Sequence, residues 1–485
     1  MLIPVETFFL APAATGTLQQ RIRQMVADGI LTGRFRPGDK MPSSRGLATH
    51  LAVSRITVTL AYADLVSSDY LTPRGRSGYF VSETAPSPPQ FAKSPPSREA
   101  VDYTALADHR FDHLTPVAKP ADWRDYPYPF IYGQPDATLF DHQNWRACAL
   151  RALGKRDFPA MTTDYIDADD PLLIETLIRT LLPRRGIEAQ PDQVLLTLGA
   201  QNGLWLAAQV LLPPGRRAVI ENPCYPGLRQ VLALTQAEVT AVDVDAHGLP
   251  PDALPPTDVV FTTASHHCPT NATMPLDRRM AFLKSASDDN FVIVEDDYEF
   301  EMSFLKSVSP SLKSLDTEGR VIHAGSFSKS LFPGLRLGYL VGPASFVQQA
   351  RALRTAVLRH PPGLLQRTTA YFLTLGHYDT LIARMQSAYR RRRLVMEEAI
   401  AEVGLTVAGR AAFGGSSLWM RAPAGTATVA LAATLRADGV LIEPGRPFYG
   451  AKGPNNFYRL AYSSIPPAKI PEGIARIGRA LALSA

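Results

Sequence analysis

Between residues 84 and 100 the chain reads TAPSPPQFAKSPPSREA, five prolines in seventeen positions with no periodic apolar pattern. Proline locks φ and has no N–H to offer a helix or a sheet, so such a stretch neither extends an element nor buries a core. It divides the 485 residues into a short leading segment and a long trailing one. Each must fold around its own hydrophobic pattern, and a chain of this length already calls for more than one domain. The expected layout is a folded segment at 15–83, a proline-bearing linker at 84–124 and a large body at 125–485, with a smaller C-terminal subdomain from about 376.

Ahead of the break, charge and periodicity point the same way. Residues 17–83 carry nine basic side chains (Arg21, Arg23, Arg34, Arg36, Lys40, Arg45, Arg55, Arg74 and Arg76) against five acids, an excess of four in a chain whose net charge is +5. A small basic segment beside a near-neutral body implies a polyanionic partner. LQQRIRQMVADGILTG places Leu18, Ile22, Met25, Val26 and Ile30 on one face and predicts a helix ending near Gly33. A serine N-cap then precedes the helix RGLATHL, and Ser54 caps a third, RITVTLAYADLVSSDYL. Two short helices joined by a tight turn direct the first residues of the second, here Ser54, Arg55, Thr57 and Val58, into a major groove. LTPRGRSGYFVSE reads as two short strands around a turn with Arg74 and Arg76, a wing able to reach phosphate or minor groove. In order and content these pieces resemble the GntR-type winged helix-turn-helix over almost all of 17–83. The resemblance implies binding to double-stranded operator DNA. It puts Ser43, Ser44 and Arg45 on the backbone, Arg55 and Thr57 in the groove, and Arg74 and Arg76 on the wing.

From about residue 125 the pattern changes. VLLTL (194–198), RAVIE (217–221), DVVFTT (258–263), FVIVEDD (291–297) and RVIHAG (320–325) alternate with helical stretches. Strands alternating with helices predict an α/β fold with a mainly parallel sheet covered on both faces.

The sharpest chemical signal is GSFSKSLFPGLRLGYLVG at 325–342, directly after the strand VIHA. A lysine there, Lys329, can form a Schiff base with a phosphorylated aldehyde. Ser326, Ser328 and Arg336 can hold the phosphate by hydroxyl donors and a charge-assisted fork. Upstream, FVIVEDDYEFE ends an apolar strand in acids. A pyridine ring acts as an electron sink only while its nitrogen stays protonated, which needs a buried carboxylate. Asp296 takes that role, with Asp297 as its rival because spacing does not separate them, and Tyr298 can hydrogen-bond the ring's phenolic oxygen. In TLGAQNGLWLAAQVLL, the amides of Gly199, Ala200 and Gln201 open a helix, a natural anion site. Tyr225, in ENPCYPG, follows a strand and can stack on the ring.

Together these motifs resemble the fold-type-I aminotransferases, and with the leading segment the whole chain resembles the MocR/GabR transcription regulators. The resemblance implies pyridoxal 5′-phosphate as cofactor, with Lys329 as the aldehyde-binding lysine, Asp296 the ring-nitrogen partner, Tyr298 the phenolic contact and Tyr225 the stacking aromatic. It makes Ser326, Ser328 and Arg336 the phosphate shell, and Arg459, in FYRLAYS, the carboxylate-binding arginine. Tyr165, in DYIDADDP, corresponds to a tyrosine that reaches the phosphate of a partner subunit, which implies a homodimer, head-to-tail in these relatives. One loop departs from the pattern. TTASHHCPTN at 262–271 has Cys268 where aminotransferases carry asparagine and many regulators an aromatic, and Asn271 in place of glycine. A thiol donates poorly to a ring oxygen, which puts full transaminase tuning in doubt. In this the chain is similar to a MocR subgroup tied to taurine or ectoine breakdown.

The expected function is therefore a cofactor-dependent regulator that senses a small amine or amino-acid effector by external aldimine formation at Lys329. Two alternatives stay open: an active aminotransferase with a DNA-binding head, and a DNA-binding protein whose large domain only dimerises. Three scattered cysteines, Cys148, Cys224 and Cys268, have no metal spacing, which argues for a reducing, cytoplasmic setting and against a zinc site. No stretch approaches the roughly 18 apolar residues of a membrane span.

Overall fold

The computed structural model describes residues 2–10, 16–86, 101–107, 109–112, 119–134, 136–306, 309–409, 412–450 and 453–483. Most of the proline-rich stretch, from 87 to 100, lies outside the described residues. The chain forms two compact units, Met1–His109 and Arg110–Ala485.

In the first unit three helices and a two-stranded wing surround one core. The helix Leu18–Leu31 starts with a capping box: Thr17 Oγ1 accepts from Gln20 N at 3.3 Å, and Gln20 Oε1 accepts from Thr17 N at 3.0 Å. Ser43 caps Ser44–His50 through Gly46 N at 3.0 Å, and Ser54 caps Arg55–Ser67 through Thr57 N at 3.2 Å. Leu71–Pro73 and Tyr79–Val81 pair antiparallel around Gly75–Ser77. Val58, Ala61, Tyr62 and Leu65 recur at helical spacing and are fully buried against Ile22, Val26 and Leu47. Val58 therefore belongs to the core, and its expected place at a DNA groove is corrected. The residue that shares the exposed helix start is Ile56, 69% exposed.

The second unit is built on a seven-stranded sheet. Its order is Val194–Thr197, Gly338–Val341, Val321–Ser326, Val292–Asp296, Val259–Thr262, Arg217–Asn222 and Glu238–Asp243. Gly338–Val341 runs antiparallel to both its neighbours, and all other pairs are parallel. Strands buried on both faces need apolar residues at every position, and Val194–Thr197, Val259–Thr262 and Val321–Ser326 are buried throughout. Glu238–Asp243 is mostly exposed and lies at the sheet's edge, and its alternating sequence offers no apolar run by which to expect a strand there. A 27-residue helix, His377–Val403, precedes a four-stranded antiparallel sheet of Thr406–Gly409, Ser417–Arg421, Phe457–Ala461 and Glu443–Pro444. Among the described residues no helix is long and apolar enough to cross a membrane.

Candidate functional site

Strand order in the large sheet does not follow chain order, and parallel strands leave a crevice beyond their carboxyl ends where such an order switches. The sequence places its chemical residues at those ends. Gly199 follows Val194–Thr197, Tyr225 follows Arg217–Asn222, Cys268 follows Val259–Thr262, Asp296 closes Val292–Asp296 and Ser326 closes Val321–Ser326. A cavity of about 360 Å³ opens there. Of the side chains expected to meet, Ala200, Gln201, Tyr225, Cys268, Asp296, Tyr298, Ser326, Ser328, Lys329, Arg336 and Arg459 all line it.

Gly199 is not among the residues that line the cavity, but it stands beside Arg336, which is. The φ of Gly199 is +82°, and a Cβ there would stand 3.3 Å from the Arg336 guanidinium. Arg336 itself adopts φ +50°, a conformation non-glycine residues rarely take, and donates from Nη2 to Leu198 O at 2.8 Å. Backbone strain at a charged residue is tolerated where surrounding structure holds it; here the guanidinium sits beside Gly199, the residue just before the helix Ala200–Leu211.

The two adjacent acids are separated by their neighbours. Asp297 forms a buried ion pair with Arg185, Nε to Oδ2 at 2.6 Å, with both side chains 1% exposed. Asp296 faces the cavity, and its Oδ1 has no hydrogen-bond partner among the described residues. Burial first, then the charges of Asp297 and Glu221, push Asp296 up to about 7. A buried, unpartnered carboxylate is costly unless something cationic meets it, and a protonated pyridine nitrogen is such a partner. Lys329 is displaced the other way: desolvation, the Lys119 cation and Arg459 bring it down to about 8. A lysine at that value holds an appreciable fraction of nucleophilic free amine near neutrality. The orphan Asp296 oxygen, the Ser326, Ser328 and Arg336 side chains in the same wall and the softened lysine fit pyridoxal 5′-phosphate.

Several residues were not legible in the sequence. Tyr132 packs its ring 4.2 Å from Lys329 Nζ and 4.0 Å from Arg459 Cζ. Gly133 has φ +72°, a conformation that favours glycine, and a Cβ on it would lie 2.2 Å from Lys329 Nζ, so any larger residue would push the end of the lysine aside. Glu443 receives Arg459 Nε at 2.8 Å and lies 3.5 Å from Lys119 Nζ. Lys119 falls within the range expected to be linker, yet its side chain lines the cavity and donates to Tyr132 O. These residues come from segments without a recognisable pattern, and no sequence signal marks them. Cys268, buried, stands with Sγ 4.0 Å from Arg459 Nη1, and burial pushes its thiol up to about 12. It meets the arginine as a neutral, weakly polar group.

Tyr165 does not join the cavity. Its ring packs edge-on against His360, with centroids 5.7 Å apart.

In the first unit, Ser43, Arg45, Ser54, Arg55, Arg74 and Arg76 are exposed, and Ser44 and Thr57 partly so. Arg55 Nε approaches Ser44 Oγ at 3.4 Å, which brings the starts of the two helices together. Arg74 lies over the Phe80 ring at 4.7 Å and 3.4 Å from Glu83, an exposed pair that water screens.

Comparison with known proteins agrees with this division. Residues 18–81 match the family described as bacterial regulatory proteins, gntR family, and residues 141–477 match aminotransferase class I and II. The chain is 64% identical over 483 residues to the HTH-type transcriptional regulator TauR of Rhodobacter capsulatus, covering 99% of this chain and 100% of that protein. It is 28% identical to the probable rhizopine catabolism regulatory protein MocR of Rhizobium meliloti, over 78% of this chain and 76% of that one. Among solved structures, kynurenine aminotransferase of Pyrococcus horikoshii superposes with a TM-score of 0.71 at 25% identity, covering 79% of this chain and 98% of the enzyme. The chain thus belongs to the MocR-type transcription regulators, in which a GntR-type winged helix-turn-helix is joined to a fold-type-I aminotransferase domain.

Proposed function

We infer that this regulator carries pyridoxal 5′-phosphate on Lys329 and uses it to sense a short amine with an acidic group, changing its hold on operator DNA. The observation that carries the reading is one cavity lined at once by Lys329, by Asp296 with its unpartnered Oδ1, and by Arg459. The bound cofactor supplies an aldehyde that selects amines. Ser326, Ser328 and Arg336 would hold its phosphate, Asp296 its ring nitrogen, Tyr298 its phenolic oxygen, and Tyr225 the ring face. An effector amine takes the place of Lys329 on that aldehyde, while Arg459, oriented through Nε by Glu443, receives the acid. Likeness to TauR makes taurine the first effector to test, with ectoine-derived compounds next. Tyr165, outside its own chain's cavity, would serve the partner's phosphate in a head-to-tail homodimer. Ser43, Ser44, Arg45, Ser54, Arg55, Thr57, Arg74 and Arg76 would meet the operator.

The test is binding of the purified protein to DNA upstream of its own gene, against unrelated DNA at matched salt, with and without cofactor and taurine. Selective binding that taurine alters supports the reading. Unselective binding, together with steady turnover of an amino acid and a keto acid, would favour an aminotransferase instead.

A further inference from the structure

Lys329 also forms part of the wall of a second and much smaller cavity of about 10 Å³, which Asp296 does not line. Lys329 lines both cavities; Glu299, Ser463 and Ser416 line only the second. Its walls are polar and under-satisfied. Glu299 is 2% exposed; Ser416 Oγ donates to its Oε1, but Oε2 has no hydrogen-bond partner among the described residues. Ser463, 3% exposed, likewise has an unpartnered Oγ. Native structures leave few buried polar atoms unpaired, and those that remain need a reason. Roughly 10–15 Å³ is the room a single water needs, and an ammonium group is of similar size. A lysine ammonium has three N–H donors and no acceptor, which complements a carboxylate oxygen and a hydroxyl oxygen.

We propose that this cavity receives the side chain of Lys329 once an effector amine has displaced it, with Glu299 as the counter-ion that holds the freed lysine. The inference rests on the sensing role proposed above. In the exchange the bond between the lysine nitrogen and the cofactor's aldehyde carbon breaks, and the effector nitrogen forms the corresponding C=N bond. With the imine protonated before and after, the two protons given up by the effector's ammonium end on the lysine nitrogen. Lys329 thus leaves as an ammonium and needs an anion within reach of its tether. Burial holds Glu299 above the ordinary carboxylate range, while the Ser416 hydrogen bond first, then the charges of Lys329 and Arg459 and the Tyr132 hydroxyl, draw it back down. Glu299 is a positioning residue: it acts through Lys329, and its pairing with the released amine favours the effector-bound state.

The test uses the full-length, cofactor-loaded protein without DNA, titrated with methylamine and with taurine. After each addition borohydride reduces the imine, and mass spectrometry reads how much cofactor remains attached to the denatured chain. Attached cofactor reports Lys329 still bonded; lost cofactor reports displacement. Charge-assisted hydrogen bonds are about twice as strong as neutral ones, so Glu299→Gln should raise the amine concentration for half-displacement by about tenfold or more. Glu299→Asp, which keeps the charge, should recover part of that loss. An unchanged midpoint in Glu299→Gln overturns the proposal. Should that variant fail to fold, Ser463→Ala decides, with a smaller rise expected and no rise refuting. If neither amine displaces Lys329 in the unaltered protein, the sensing role fails, and with it this inference; displacement unaffected by Glu299→Gln removes this inference alone.

Discussion

Replacing Arg185 by methionine isolates what keeps Asp297 out of the cofactor cavity. Arg185 donates from Nε to Asp297 Oδ2 at 2.6 Å, from Nη1 to Ser309 O at 2.8 Å and from Nη2 to Ser265 Oγ at 2.9 Å. Methionine fills most of the volume but offers none of these donors. Asp297 is then buried without its counter-charge, and one-sided removal of a buried pair costs about 3–5 kcal/mol. The residual penalty falls on the charge, so Arg185→Met combined with Asp297→Asn should recover most of it, leaving a loss of about 1–2 kcal/mol for the missing hydrogen bonds. The change also reaches the cavity. Asp297 is the first-ranking charge raising Asp296; once unpaired it takes up a proton, its repulsion disappears, and Asp296 should titrate below about 7. Equilibrium urea unfolding of the full chain at neutral pH, followed by tryptophan fluorescence, measures the stability terms. All four tryptophans (Trp123, Trp145, Trp205 and Trp419) lie in the large unit, so the signal reports that unit alone. Asp297→Asn completes the double-mutant cycle. If the double variant is no more stable than Arg185→Met, the loss is one of packing and the charge argument is refuted.

Four further outcomes follow from the geometry. Gly133→Ala sets a Cβ 2.2 Å from Lys329 Nζ at φ +72°; it should weaken cofactor binding by at least about tenfold in an absorbance titration, while the fold loses only about 1 kcal/mol. Glu301, whose Oε1 accepts from Tyr378 Oη at 2.7 Å, is pushed by burial up to about 7. A folded-state value above the unfolded one means stability that is full below the ordinary carboxylate range and lost as pH rises through about 7. Glu301→Gln should therefore be more stable than the unaltered chain at pH above about 7, by up to about 3 kcal/mol, and lose that advantage in acid; equal urea midpoints at both ends would refute this. In the first unit, Ser54→Ala removes the cap on Thr57 N and should cost about 1 kcal/mol of stability. Arg55→Ala should leave stability nearly unchanged and weaken operator binding by about 1–3 kcal/mol if it reads a base, as fluorescence anisotropy would show.

Local pattern and long-range packing contributed different things. The serine caps ahead of the second and third helices, the wing at 71–81 and five strands of the large sheet were legible because each rests on neighbouring residues: a cap bond spans three positions, and a strand buried on both faces is a continuous apolar run. Lys329, Asp296, Tyr225, Cys268 and Gly199 were legible for a related reason. Parallel strands carry their functional residues at their carboxyl ends, so each motif sits where a strand stops. What lay beyond sequence was anything decided by which segments meet. Asp296 and Asp297 are adjacent acids, and only Arg185, over a hundred positions away, tells them apart. Val58 faces inward and Ile56 outward because the core, not the groove, claims the stripe of Val58, Ala61, Tyr62 and Leu65. Lys119, Tyr132 and Glu443 come to the cavity from regions with no periodicity, and their chemistry lies in distances that no spacing along the chain encodes. The kinds of domain and the residues that meet at the strand ends could be read along the chain, because they depend on short-range bonding and patterning. The charges around Lys329 could not, because desolvation and pairing arise only when remote segments close over one another.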